Sequence, residues 1–165
     1  MKDDVIKPRV ERSVSIHSKF GERILSENNI RREIEELKCR ISSTKKVMDE
    51  LGVTEECRKC ASRTGSCCGK GIENRYSEAI LLINLMLGVK LPMERETDGC
   101  FFLGEKGCKL IAREVLCVNY LCDKITQNIE LDRLIKLQNV AGEELDKLFQ
   151  LINKINLVLR GFGND

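Results

Sequence analysis

The chain has 165 residues, with 28 Lys and Arg against 26 Asp and Glu, for a net charge of +2. That balance builds no one-signed field to draw the protein onto nucleic acid, so no nucleic-acid partner is expected. There is no Trp and aromatics make up 4%, so the core has to come from Leu, Ile and Val, and a metal staple would reinforce so light a centre.

Residues 1–19 are polar, contain Pro8 and read as a flexible tail, with no apolar stretch of the signal-peptide kind. Residues 20–165 read as one domain. A helix is predicted over 20–52, closed by Gly52, a residue that suits a helix C-terminus. Its apolar positions Ile30, Ile34, Leu37, Ile41, Met48 and Leu51, with Thr44 in the gap, step alternately by four and three, as in a heptad seam. That seam packs within its own domain or pairs two chains, so the partners in view are a homodimer or another protein held through the amphipathic helices.

The middle of the chain, 53–122, carries most of the cysteines. Ser77-Glu78 reads as a cap before an apolar helix from Ala79 to Leu87, stopped by Gly88. The apolar run from Ala79 to Val89, interrupted by Asn84 and Gly88, is too short to span a bilayer, and no membrane association is expected. A loop with Pro92 follows. Phe101 to Leu103, Gly104 to Gly107 and Cys108 to Ile111 read as a tight hairpin, and 112–122 as a helical turn. The final region, 123–163, has a helical stripe of Leu134, Leu137, Ala141, Leu145, Leu148, Ile152, Ile155 and Leu159. A bend or break is expected at Gly142, and Gly161 and Gly163 should end the helix. The two amphipathic helical regions can bury their stripes on each other as an antiparallel pair. The fold class expected is mainly α: two long amphipathic helices flanking a compact, irregular, cysteine-rich metal-binding core with a short β-hairpin.

Eight of the nine cysteines form two blocks, Cys57-x2-Cys60-x6-Cys67-Cys68 and Cys100-x7-Cys108-x8-Cys117-x4-Cys122. Thiolates are soft donors that select zinc, copper(I) or iron–sulfur clusters. Four of them fill one tetrahedral zinc site or hold one cluster, so eight suffice for two. Two intervening residues let Cys57 and Cys60 turn toward one ion. Adjacent side chains usually point apart, so Cys67 and Cys68 are expected to serve different sites, or only one of them to ligate. Cys117 and Cys122 can face one site only if the helix ends or distorts between them. Arg58, Lys59, Arg63 and Lys70 surround the first block with no acid between Cys57 and Gly71, a setting that favours deprotonated sulfur. A disulfide framework is the rival reading. The absence of an export signal and the odd cysteine count favour metal in a reducing, cytoplasmic setting.

This layout resembles the YkgJ type of cysteine-cluster proteins, described as zinc- or iron-chelating domains. The resemblance spans Cys57 to Cys122. It rests on Cys57, Cys60, Cys67, Cys68, Gly69, Ser77, Glu78, Cys100, Phe102, Leu103, Cys108, Arg113, Cys117 and Cys122. It implies that these eight cysteines are the metal ligands. The chain departs from the pattern at Glu114, where the family has Pro after its Arg, at Leu121, where the family has Pro, and in a Cys108-to-Cys117 interval one residue short. Flagellin lysine methylases carry a related cluster, but nothing outside the cluster corresponds, so methyl transfer is not implied.

Little else points to chemistry. Cys39 sits on the outward side of the first seam as an incidental thiol. His17, the only histidine, lies in the expected tail, which removes Ser–His–Asp and Cys–His schemes. No phosphate-binding glycine motif occurs, and Glu55-Glu56 and Glu143-Glu144 read as surface acids. Met86 and Met93 read as packing residues. No catalytic constellation is visible. The expected function is a small cytoplasmic metal-binding protein with a cysteine-ligated iron–sulfur cluster or zinc, in a redox or sensing role. The adjacent Cys67-Cys68 pair tilts the metal toward iron–sulfur. The alternative is a zinc-stapled helical scaffold without catalytic activity.

Overall fold

Apolar residues recur every three or four positions from Ile6 onward, and helices follow that period in a computed structural model that describes residues 5–61 and 67–162. Arg63, named above beside the first cysteine block, and Gly163, named above as a helix end, lie outside the described residues. The elements run α1 (Ile6–Ser26), α2 (Ile30–Glu50), α3 (Val53–Ala61), a 3₁₀ turn (Ile72–Arg75), α4 (Glu78–Met86), β1 (Leu103–Gly104), β2 (Gly107–Cys108), α5 (Val115–Asn119), α6 (Asp123–Thr126) and α7 (Leu131–Gly161). The chain is mainly helical, with one small antiparallel two-stranded sheet pairing Leu103 with Cys108 and Gly104 with Gly107.

The tail expected at 1–19 is helical from Ile6. Ile6 and Val10 are fully buried, and α1 packs on α4. Pro8 lies in the first turn, where its missing N–H has no helical partner to lose. His17 therefore lies on a packed helix, not in a tail. The single helix expected over 20–52 is two helices. Asn28 and Asn29 both take left-handed backbone (φ 45° and 61°), a conformation that Asn tolerates better than most residues, and the chain turns there.

The seam of α2 meets α7 in antiparallel fashion. Contacts step up one helix as they step down the other: Glu33 with Lys154, Glu36 with Lys147, Arg40 with Glu143 and Thr44 with Val140. Ile30, Ile34, Leu37, Thr44, Val47 and Met48 are buried on α2, and Leu137, Ala141, Leu148, Leu151 and Ile155 on α7. No break occurs at Gly142, and α7 runs straight through it. Glu144, expected at the surface, is buried in this interface. Met93, expected to pack, is exposed.

Helix α4 is buried continuously from Ala79 to Asn84, as an almost uniformly apolar helix must be. Ser77 caps it by accepting a hydrogen bond from the Ile80 N–H, and Gly88 ends it at φ 84°. Phe101, Phe102 and Tyr76 pack beside it with edge-on ring contacts. Cys68, Cys100 and Cys117 pack in the apolar cluster around α4, and Cys57 and Cys122 in a second cluster with residues of α2 and α7. No described helix is long and apolar enough to cross a membrane.

Candidate metal centre

Cys57 and Cys60 lie on α3, three residues apart and so on one helix face. Cys67 and Cys68 sit in the turn before the 3₁₀ element, Cys100 in the bend before β1, and Cys108 on β2. Cys117 is on α5 and Cys122 caps the start of α6. Because α5 ends at Asn119 and α6 begins at Asp123, Cys117 and Cys122 do not share a helix, so of the two alternatives their spacing left open it is the ending that occurs.

Four polar anchors shape this irregular region. The Cys100 N–H donates to the Cys68 carbonyl at 2.8 Å, joining the two cysteine blocks directly. A side chain at Gly99 would place its Cβ 2.9 Å from that same carbonyl, so only glycine allows the approach. Buried Glu73 accepts from Arg95 and from the Gly71 N–H, while Arg95 also donates to the Gly99 carbonyl. Buried Asn84 accepts from the Ile111 and Ala112 N–H groups and donates to the Ile80 and Ala112 carbonyls, all between 2.8 and 3.0 Å. Its amide meets every demand that burial makes of it and fixes the chain ahead of Cys117. The Tyr76 hydroxyl accepts from the Glu114 N–H at 3.2 Å and donates to the Cys117 Sγ at 3.6 Å.

Two adjoining cavities lie among the sulfurs. The larger, about 370 Å³, is walled by Cys57, Cys67, Cys68, Cys100, Cys108 and Cys117, with Tyr76 and Arg113 beside them. The smaller, about 30 Å³, is bordered by Cys57, Cys60, Cys67 and Cys122. All eight cysteines of the two blocks border at least one of them. Cys39 borders neither and is exposed on α2. Among the described residues no three His, Cys, Asp or Glu side chains converge closely enough to hold a metal ion. The cysteines share walls and not a formed coordination shell. The donor set fits a soft metal: eight sulfurs, no histidine, and a cation, Arg113, at the larger cavity.

Five of these thiols, those of Cys57, Cys68, Cys100, Cys108 and Cys117, are held above the ordinary thiol range by burial. Burial pushes the Cys57 thiol up to about 11 and those of Cys68 and Cys100 up to about 12. Neighbouring sulfurs add to this: Cys67, Cys122 and Cys60 act on Cys57, whereas Cys67, Cys117, Cys108 and Cys100 act on Cys68. Burial also raises Cys108 and Cys117, with Arg113 opposing it at both and the Tyr76 hydroxyl opposing it at Cys117. This corrects the electrostatic expectation. Arg58 pairs with Glu55, and Lys59 with Glu55 and Glu56, so α3's own acids offset its cations. A metal would have to displace protons to bind.

Sequence reading missed Glu73, Arg95 and Tyr76 as supports of the sulfur region, and took Asn84 only as an interruption. A polar residue inside the apolar run of α4 was the one available signal, since a buried amide demands partners. Comparison of the chain with protein-family models, curated proteins and solved structures finds no match.

Proposed function

We propose that this chain is a small metal-binding protein of the YkgJ cysteine-cluster type, acting in the cytoplasm in a redox or sensing role. Cys57, Cys60, Cys67, Cys68, Cys100, Cys108, Cys117 and Cys122 hold an iron–sulfur cluster or zinc. One observation carries the reading. Eight cysteines from separate segments of the chain border two adjoining cavities, while the ninth lies apart from both. A cluster would supply electron-transfer chemistry there, and zinc a cross-link. The chain's own contribution is the surroundings: Arg113 offsets thiolate charge, and the Tyr76 hydroxyl orients the Cys117 sulfur.

The test is metal and acid-labile sulfide analysis of anaerobically purified protein, with its visible spectrum. Iron with sulfide and broad visible absorption supports a cluster. Stoichiometric zinc in colourless protein supports the cross-link. Metal-free protein overturns the proposal, in favour of disulfides if no free thiols remain. Cys57→Ser or Cys117→Ser should lower bound metal and Cys39→Ser should not. Equal metal in all three would reject the ligand set.

A second reading, a zinc-stapled interaction scaffold, is favoured by the outer face of α7. Leu131, Ile135 and Phe149 are exposed along one side of it, at spacings that bring them nearly into line on a helix. A structural metal would resist mild oxidation, and its removal would unfold the chain.

A further inference from the structure

We infer that the eight cysteines form two separate four-sulfur metal sites, parted between the adjacent residues Cys67 and Cys68. One site is Cys57, Cys60, Cys67 and Cys122; the other is Cys68, Cys100, Cys108 and Cys117. The inference rests on the metal-binding reading above and deepens it.

The cavities carry the division. Cys68, Cys100, Cys108 and Cys117 border the larger cavity and not the smaller. Cys60 and Cys122 border the smaller and not the larger. Cys57 and Cys67 lie on the wall between and complete the smaller set to four. No cysteine is left over and neither set falls short of the four thiolates that close a tetrahedral ion or hold a cluster. The backbone supports the same division. In the second set, Cys100 is bonded to the Cys68 carbonyl and Cys108 is paired to Leu103 of the hairpin that follows Cys100. In the first set, Cys57 and Cys60 share a face of α3, and Cys122 begins α6 next to it in the same apolar cluster. Divergence of neighbouring side chains at Cys67 and Cys68 then sends one sulfur to each site, with Cys67 the more exposed.

The consequence is a cross-braced order. Each block gives three cysteines to one site and one to the other. Each site therefore spans both blocks, the first joining α3 to the start of α6 and the second joining the turn at Cys68 to the hairpin and α5. The cavities also differ in room. About 30 Å³ is space for a single ion or water, whereas about 370 Å³ admits a polynuclear group.

The experiment is alkylation of the metal-loaded protein, read by mass spectrometry at each cysteine, with exposed Cys39 as the internal control. In the wild type Cys39 reacts and the other eight are protected. In Cys60→Ser, the sulfurs of Cys57, Cys67 and Cys122 should react while Cys68, Cys100, Cys108 and Cys117 stay protected. In Cys108→Ser the pattern should reverse. Exposure of all seven remaining block cysteines in either variant, with helix content by circular dichroism intact, would overturn the division in favour of one joint site. Should a variant unfold, the native mass of the loaded wild type decides. Two bound groups support the division and one overturns it. A wild type with no bound metal and all nine thiols reactive instead rejects the metal-binding reading itself.

Discussion

The α2–α7 pair and the segment from Cys67 to Cys122 solve the problem of order in opposite ways. The pair is long, regular and apolar at its seam, with Ile30, Leu37, Leu148 and Ile155 buried and ion pairs along its edge. The cysteine segment has two strands of two residues and short helices, and its backbone is fixed by individual buried polar groups: Asn84, Glu73 with Arg95, and Tyr76. Hydrophobic burial is spread over many residues and tolerates small changes. Polar anchoring is concentrated, and one lost partner leaves a buried group unsatisfied. Among the described residues, two of the three buried carboxylates, Glu73 in the cysteine segment and Glu144 in the helical pair, make the same contrast, while Glu33 on α2 is paired with Lys147 and Lys154. Glu73 is held below the ordinary carboxylate range, because Arg95 and the Gly71 N–H outweigh its burial. Neither Glu144 oxygen has a donor in hydrogen-bonding geometry, since the nearby Thr44 hydroxyl donates to the Arg40 and Val140 carbonyls. Burial pushes the Glu144 carboxyl above that range against the weaker pull of Thr44 and Arg113.

The most disruptive way to probe this contrast is Leu151→Asp, which puts a carboxylate where the side chain is fully buried. It should cost more than about 4 kcal/mol and abolish the cooperative thermal transition. A native-like melt would remove Leu151 from the core that joins both regions.

Arg95→Met should act on the cysteine segment alone. It strands Glu73 without its cation, at a cost of about 3 kcal/mol. Alkylation of Cys68 and Cys100 in metal-free protein should accelerate while helix content is kept. Unchanged alkylation would mean the anchor does not hold the sulfurs. Because the Glu73 carboxyl is lowered in the fold, its contribution is present above its unfolded value and is lost as pH falls through the folded one. The variant should shed that acid sensitivity.

Glu144→Gln tests the opposite sign in the helical pair. A raised carboxyl contributes fully below its unfolded value and loses that contribution as pH rises through its folded one. The variant should therefore be more stable than the wild type at pH 7, by about 1–2 kcal/mol, with the gain closing toward pH 4. Denaturant melts at both pH values measure it, and a gain that grows in acid would reverse the assignment.

Gly142→Ala should give the smallest effect. A Cβ there meets nothing within 4 Å and the site is mid-helix, so a gain of about 0.5–1 kcal/mol is expected. A loss would show that α7 needs its glycine for a contact.

Several features that depend on neighbours in the chain were announced by the residues, although the left-handed turn at Asn28 and Asn29 that splits the expected helix was not. Ser77 caps α4, Gly88 stops it, Gly107 turns the hairpin, and the four-three stepping of α2 finds its partner in α7. The errors came where a local rule met a tertiary one. Pro8 suggested a tail, but a first-turn proline is harmless once Ile6 and Val10 have a core to enter. Gly142 suggested a break, but packing on both sides of it carries α7 through. Glu144 looked like a surface acid because its neighbour Glu143 is one, paired with Arg40.

The sequence by itself determined the helical periods of α2 and α7, the cap and stop of α4, and the grouping of eight cysteines into two blocks, since each is a matter of residue type and spacing along one chain. Only the tertiary structure decided which sulfurs border a common cavity, that burial raises the thiols of Cys57, Cys68, Cys100, Cys108 and Cys117, and that Asn84, Tyr76 and the Glu73–Arg95 pair hold the backbone around them. Those depend on dielectric and distance between segments far apart in the chain, and neither quantity is carried by the order of residues.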